Sequence, residues 1–399
     1  MMHTTRGVET LSVACQGTTA SWGSETRSPA QGGAAIEGSP MKNPRLSAAV
    51  ALAAIFVVSV LILNRINDPE VPHSDNTNLR AEAGNIFVVP GIGVWEPVEG
   101  LRPVDNLLAI AFAPDGQAGV AIGSKGELVV TEDGGASWKI RSPITLSELS
   151  IATCITIPQS DRVLFGTVVD EDWPAATIYE LKPSDGIQNK VWQGEFGGLL
   201  AATSNGRFWA GEDCFVLRAD DTGFAPTRLP SCDGEVLYDI ESDGSLVVAV
   251  GLNGLVSISH DEGTAWVTTR LKAAFNLESE PLEIHRVATN GVIALAGGNH
   301  GGLWRSEDAG LTWVLIRGLA KNVSVWALYL APDGVTCFAA GGDQKGGYPF
   351  VTAANDGGKV FTPEPVRVAR GRIMGIAQGK VGVFAVSFDG RVLVRRVAS

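Results

Sequence analysis

The sequence SEDAGLTW at residues 306–313 is one of three copies of a phrase that also reads TEDGGASW at 131–138 and SHDEGTAW at 259–266. A fourth stretch, AANDGGKVF at 353–361, keeps the aspartate and the glycine but ends in phenylalanine instead of tryptophan. The copies fit the pattern SxDxGxTW. A phrase that returns at a regular spacing indicates a repeat architecture more strongly than any single residue does.

Each position of the phrase suits a tight hairpin. The aspartate can accept hydrogen bonds from backbone N–H groups of the turn, and the glycine supplies a positive φ. The tryptophan opens the next strand, where its indole can be buried between neighbouring sheets. We therefore interpret the following residues as structural: Asp133, Gly135, Trp138, Asp261, Gly263, Trp266, Asp308, Gly310, Trp313, Asp356 and Gly358.

The spacing of the phrases predicts an all-β, seven-bladed propeller over residues 85–399. Trp266 and Trp313 are 47 residues apart, whereas Trp138 and Trp266 are 128 apart, so the longer gap holds three periods of about 43 residues. Two blades without the phrase should lie there, at about 150–195 and 198–230. The C-terminal tail supplies only three strands, and the early segment around Trp95 is expected to complete that last blade and close the ring. Small residues should lie nearest the crowded axis.

One apolar segment precedes the repeats. LSAAVALAAIFVVSVLIL at residues 46–63 carries no charge and would span about 27 Å as a helix, close to a bilayer core. Lys42 and Arg45 precede it and acidic residues follow. The positive-inside rule thus predicts a single-pass anchor in the inner membrane, with the propeller on the periplasmic or extracytoplasmic side. A cleavable signal peptide is the alternative, although no AxA-like site follows Leu63.

The remaining N-terminal residues are predicted to lack a fold. Residues 1–45 should be a disordered cytoplasmic tail, in which translation could start at Met41, and residues 64–84 should be a polar linker. The net charge of −12 argues against nucleic acid as a partner. Cys214 and Cys232 could close a loop by a disulfide in an oxidising compartment. No CxxC or Cys/His cluster is present, so we predict neither a metal nor a cofactor.

Strand direction assigns the loops to two rims. The four phrases and the Ala-Pro-Asp-Gly turns share one rim, and the loops between second and third strands share the other with the connections between blades. Binding residues usually lie on loops of a rigid scaffold. The second rim is therefore the candidate partner-binding rim, with these candidate residues: Asp170, Asp172, Trp173, His300, Asp343, Lys345 and Tyr348.

A family resemblance rests on the stretch GQAGVAIGSKGELVVTEDGGASWKI at residues 116–140. It is similar to the repeat of the Ycf48/Hcf136-like photosystem II assembly factors, which are BNR or Asp-box propellers. GLNGLVSISHDEGTAW and GGNHGGLWRSEDAGLTW repeat the likeness, which extends over about residues 85–399. The resemblance implies a non-enzymatic factor that holds a membrane-protein intermediate. We accordingly expect this propeller to bind or scaffold a membrane-associated protein partner.

A glycoside hydrolase is the alternative, because sialidases and some endoglucanases also carry Asp boxes. Such an enzyme would need two carboxylates about 5–10 Å apart, and Asp172 and Asp343 could face each other across the axis. A sialidase would also need three converging arginines and a Tyr/Glu pair, and no FRIP-like phrase occurs near the first blade. We therefore expect no enzymatic activity.

Overall fold

The computed structural model describes residues 92–146, 150–169, 176–182, 187–194, 197–273, 280–345 and 347–397, all within the compact unit Asn43–Ser399. In these ranges the chain forms seven four-stranded antiparallel sheets. The prediction of an all-β, seven-bladed propeller is thereby confirmed. The tail at 1–45, the apolar segment at 46–63 and the linker at 64–84 lie outside the described residues. Within the described ranges no helix is both long enough and apolar enough to cross a membrane.

The first four blades follow one another along the chain, each from its innermost to its outermost strand. Blade 1 has strands β2 to β5, blade 2 has β6 to β9, blade 3 has β10 to β13, and blade 4 has β14 to β17. The bounds in blade 1 are Ala109–Phe112, Gly119–Ile122, Leu128–Thr131 and Lys139–Arg141, and in blade 2 Ser150–Gln159, Arg162–Val169, Ala176–Lys182 and Ile187–Gly194. The bounds in blade 3 are Leu199–Ala202, Phe208–Gly211, Phe215–Asp220 and Gly223–Arg228, and in blade 4 Leu237–Asp243, Leu246–Gly251, Leu255–Ser259 and Val267–Arg270.

Blades 5 and 6 repeat this order with strands β18 to β21 and β22 to β25, while blade 7 has β26 to β28 and takes β1 as its outermost strand. Short 3-10 segments at Glu212–Cys214 and Leu252–Gly254 join second to third strands in blades 3 and 4. The bounds in blade 5 are Ile284–Thr289, Ala294–Gly298, Leu303–Ser306 and Val314–Leu315, and in blade 6 Val323–Leu330, Cys337–Asp343, Pro349–Ala354 and Thr362–Glu364. In blade 7 they are Ile373–Gly379, Gly382–Ser387 and Val392–Val397, with β1 at Gly93–Pro97.

The ring closes through the early strand, as its position in the sequence predicted. Strand β1 pairs antiparallel with β28, from Gly93 opposite Val397 to Pro97 opposite Leu393. The innermost strand of every blade packs against the innermost strand of the next, and β26 of blade 7 packs against β2 of blade 1. Segments far apart in sequence therefore share one sheet, which removes the open edge that a three-stranded last blade would leave.

A buried carboxylate holds this closing strand. Glu364 at the end of β25 is 6% exposed and accepts hydrogen bonds from the Gly93 N–H at 2.9 Å and the Trp95 indole N–H at 2.8 Å. Arg395 on β28 donates to the same carboxylate at 2.9 Å. Trp95 itself has no exposed surface. Blade 6 thus holds the two outer strands of blade 7 in place.

The repeated phrases form the hairpins between third and fourth strands, with the aspartate accepting backbone N–H groups inside the turn. Asp308 Oδ1 lies 2.8 Å from the Thr312 N–H, and the Ser306 hydroxyl, 2.8 Å from the same oxygen, accepts the Gly310 N–H. Copies at 131–138 and 259–266 have equivalent bonds. In the fourth copy Ala354 stands where the hydroxyl would be, so Asp356 bonds only to the following N–H groups. The glycine of every copy has a positive φ.

The aromatic residue of each phrase packs toward the preceding blade. Trp138 of blade 1 lies edge-on to Phe384 of blade 7, with ring centroids 5.3 Å apart. Trp266 packs on the core between blades 3 and 4, and Trp313 on the core between blades 4 and 5. The phrases therefore do two things at once: they turn the chain and they fill the seams between sheets.

Candidate partner-binding rim

The observed strand directions separate the loops into two sets. We call the rim that carries the repeated phrases the lower rim. The upper rim comprises the loops between second and third strands together with the connections between blades. Every innermost strand starts at the upper rim. The first residues of these strands together therefore surround the mouth of the ring.

An irregularity recurs at the start of the innermost strands. In six of the described innermost strands the pairing register shifts by one residue at the same place, which leaves one bulged residue per strand. A β-bulge bends the strand and re-aims the bulged side chain, which is why bulges are common at rims and binding sites. The bulged residues are Thr153, Leu200, Tyr238, His285, Trp326 and Met374.

Three of these bulged side chains, from blades 4, 5 and 6, form a row in which His285 contacts both of the others. The rings of His285 and Trp326 stack face to face, with centroids 3.9 Å apart and planes 4° from parallel. Tyr238 meets His285 edge-on at 5.8 Å. The bulges thus turn large aromatic side chains against the neighbouring blade.

A cleft of about 240 Å³ opens beside this aromatic row. The connection between blades 4 and 5 forms one wall, and the loops at Asn299 and Gln344 form others. Asn299 positions the connection, since its side chain donates to the Pro281 carbonyl at 3.0 Å and accepts the Glu283 N–H at 3.1 Å. Lining residues are Glu280, Pro281, Glu283, His285, Asn299, His300, Ser324, Trp326 and Gln344.

Two carboxylates, each beside an imidazole, line the cleft. Glu283 Oε2 lies 3.1 Å from His285 Nε2, and Glu280 Oε2 lies 2.8 Å from His300 Nε2. His285 Nδ1 is 3.3 Å from the Val325 carbonyl, so both ring nitrogens of this buried histidine face acceptors. The phenol of Tyr238 donates to Glu283 Oε1 at 3.4 Å. Burial and the Glu283 carboxylate raise the pKa of Tyr238, which keeps its phenol a donor.

The residues predicted for this rim fall into three groups. His300 lies in the cleft, 5% exposed and at a φ of +53°. Asp343 ends β23 and accepts the Tyr348 N–H at 3.0 Å, while Tyr348 and Lys345 are exposed. Asp170, Asp172 and Trp173 lie outside the described residues. The structure thus places His300 beside Gln344, which precedes Lys345 in the same loop.

Sequence reasoning missed Glu283, His285 and Trp326. A signal was present, because the bulged innermost strands share a similar four-residue pattern near their start, such as LYDI at 237–240, IHRV at 284–287 and VWAL at 325–328. The second residue of each set is the bulged one. A scan for this shorter repeat would have singled out these aromatic residues.

The cysteines also bear on this rim. Cys214, in the loop between β11 and β12, forms a disulfide with Cys232 in the connection to blade 4, with Cα atoms 5.8 Å apart. Cys154 and Cys337 are buried thiols. Over the ranges that the structure describes, no three His, Cys, Asp or Glu side chains are grouped so as to hold a metal ion.

Comparison with known proteins returned neither a matching family model nor a matching curated protein. Among solved structures, YCF48 bound to D1 peptide superposes with a TM-score of 0.58 at 18% identity, covering 79% of this chain and 97% of that one. In fold, this chain is similar to YCF48. YCF48 from Cyanidioschyzon merolae gives a TM-score of 0.55 at 15% identity over 75% and 98% of the two chains. The RRP9 WD40 repeats reach 0.57 at 10% identity over 78% and 100%. At these identities the likeness concerns the fold.

Proposed function

We propose that this chain is a non-enzymatic propeller that binds or scaffolds a membrane-associated protein partner at its upper rim. The observation that carries the proposal is the bulge-built cleft, where side chains of three blades form an open, charged and aromatic recess on a rigid scaffold. Rigid scaffolds with functional loops at one face are a common arrangement for binding. The YCF48 structure with a bound D1 peptide supports a peptide-binding role for a propeller of this fold.

The proposal includes a membrane anchor and a location. Residues 46–63 would span the inner membrane once, and the basic residues before them would hold the tail in the cytoplasm. The propeller would then face the periplasmic or extracytoplasmic space. Disulfides such as Cys214–Cys232 form and persist in such oxidising compartments. We also assign the four phrases to the Asp-box type, on the strength of their shared turn hydrogen bonds.

Binding accounts for the upper rim better than glycoside hydrolysis does. A cleft of about 240 Å³ is smaller than the roughly 300–1,000 Å³ of ordinary small-molecule sites. Asp343, one of the two proposed catalytic carboxylates, accepts the Tyr348 N–H within its own loop. No observation among the described residues favours a hydrolase.

Site-specific photocrosslinking of the full chain in native membranes tests this function. A photoreactive residue replaces Tyr348 on the upper rim, and in a matched variant it replaces Val267, which begins β17 beside the lower rim. Both positions are well exposed, at 54% and 70%. We expect one membrane protein to be crosslinked from Tyr348 and not from Val267, because only the upper rim should contact the partner.

The same protein should then bind the purified full chain through one extended segment. Equal crosslinking from both positions, or adducts at Tyr348 that differ between repeats, would overturn the proposal.

A further inference from the structure

The cleft beside the aromatic row has an uneven charge distribution. Its lining contains two carboxylates, Glu280 and Glu283, and no lysine or arginine. Glu280 stands at the outer edge with its side chain 68% exposed, and Glu283 lies deeper at 22%. The two carboxylates therefore mark an entrance and an inner wall, and a positive group entering the cleft would meet them in turn.

The inner wall is held in place before any partner arrives. Glu283 accepts from Tyr238 and pairs with His285, while its own backbone N–H bonds to Asn299. A carboxylate offers about four acceptor positions, so Glu283 has capacity beyond these two side chains. Groups that are fixed in advance bind with a smaller loss of conformational entropy.

The size of the cleft restricts what can enter. About 240 Å³ is below the usual range of small-molecule and cofactor sites but is ample for one long side chain with a few waters. His285 and Trp326 line the cleft but are stacked on each other and only 1% and 7% exposed, so they close off the cleft without offering a free ring face. A flexible alkyl stem that ends in a cation matches a narrow recess lined by carboxylates.

We infer that the cleft seats the side chain of one arginine or lysine from an extended, basic segment of the partner protein. This inference rests on the proposed function and gives the partner's recognised segment its chemistry. Arginine is the better fit, because its planar fork can donate to a carboxylate through two N–H groups at once.

Fluorine NMR of the full chain in detergent tests the inference without the partner. The protein carries fluorinated tryptophan, and the Trp326 resonance is identified by its loss in Trp326→Phe. The probes are N-acetyl-arginine amide and its neutral counterpart, N-acetyl-citrulline amide. We expect the arginine derivative to shift the Trp326 resonance saturably, with an affinity about tenfold weaker in Glu283→Gln and about threefold weaker in Glu280→Gln.

A control variant, Glu132→Gln, changes an exposed carboxylate on the lower rim and should bind like the unaltered protein. Equal shifts with the arginine and citrulline derivatives, or arginine shifts that survive both cleft substitutions, would overturn the inference. Crosslinking from Tyr348 decides the proposed function separately. A partner captured there while arginine fails to bind would leave the function standing and remove only this inference.

Discussion

Gly135 shows how one residue of the repeated phrase serves two purposes. Its φ of +97° closes the hairpin, and its missing side chain makes room for the neighbouring blade. A Cβ placed there would lie 2.2 Å from the ring of Phe384 in blade 7. At the corresponding glycines, 263, 310 and 358, a Cβ would lie within 3.0 Å of Phe208, Ile258 and Leu295 of the preceding blades. The glycine is therefore a packing residue as well as a turn residue.

Replacing Gly135 by alanine should destabilise the protein more than the same change in an open turn. Gly100 provides the matched control, since it has a φ of +75° and no atom lies within 4 Å of the place where an added Cβ would stand. We expect Gly100→Ala to cost about 1 kcal/mol from backbone strain alone. Gly135→Ala should cost about 1–3 kcal/mol more, because the ring of Phe384 must move. Urea denaturation of both variants measures the difference, and equal costs would refute the packing role.

At the scale of elements, strand β1 decides whether the ring is closed. It belongs to blade 7 but is also attached to blade 6, where the Trp95 N–H donates to the Pro365 carbonyl at 2.9 Å. The central group is Glu364, which receives the Gly93 N–H, the Trp95 indole and Arg395 together. These donors satisfy the hydrogen-bonding capacity of the buried carboxylate. Without the carboxylate, the same buried donors would lack an acceptor, which costs free energy.

Glu364→Ala should therefore weaken the closure strongly. Arg395 would keep a positive charge that is only 16% exposed and has lost its carboxylate, a change that typically costs about 3–5 kcal/mol. The control is Glu132→Ala, which breaks the exposed pair with Arg141 and should cost less than about 1 kcal/mol. Denaturation midpoints give both values. Hydrogen exchange should also become faster in β1, and unchanged protection there would contradict this account.

At the scale of the whole molecule, two sets of carboxyl groups act on stability in opposite directions. Burial raises the pKa of Glu212 and of Glu241 to about 7, and that of Asp239 to about 6. Hydrogen bonds from the Ser137 and Thr312 hydroxyls, with backbone N–H groups, lower the pKa of Asp133 and Asp308 to about 2. The folded protein thus holds protons on the first set and releases them from the second.

The free energy of unfolding should consequently pass through a maximum in mild acid. Groups with a raised pKa stabilise the fold fully below about pH 4.5 and lose that contribution as the pH rises toward 7. Groups with a lowered pKa stabilise above about pH 4 and lose it as the pH falls toward 2. Glu212 is 2% exposed, and Glu212→Gln should flatten the upper limb and raise stability above pH 7 by up to about 3 kcal/mol. Denaturation across pH tests this, and an unchanged upper limb would refute it.

The number of blades, the hydrogen bonding of the turns and the closing strand could all be predicted from the sequence. The hairpins depend on a local pattern, because an aspartate and a glycine at the spacing of Asp308 and Gly310 favour a tight turn. The closing strand follows from counting strands, because a last blade with three strands leaves an open edge that a fourth strand must cover. The cleft, in contrast, exists only once the blades are assembled into a ring. Tyr238, His285 and Trp326 belong to three different blades and meet because the ring brings the innermost strands side by side. In a regular strand, side chains alternate between the two faces, and this alternation predicts their direction from sequence. A bulge interrupts the alternation, so periodicity alone could not predict where these three side chains point.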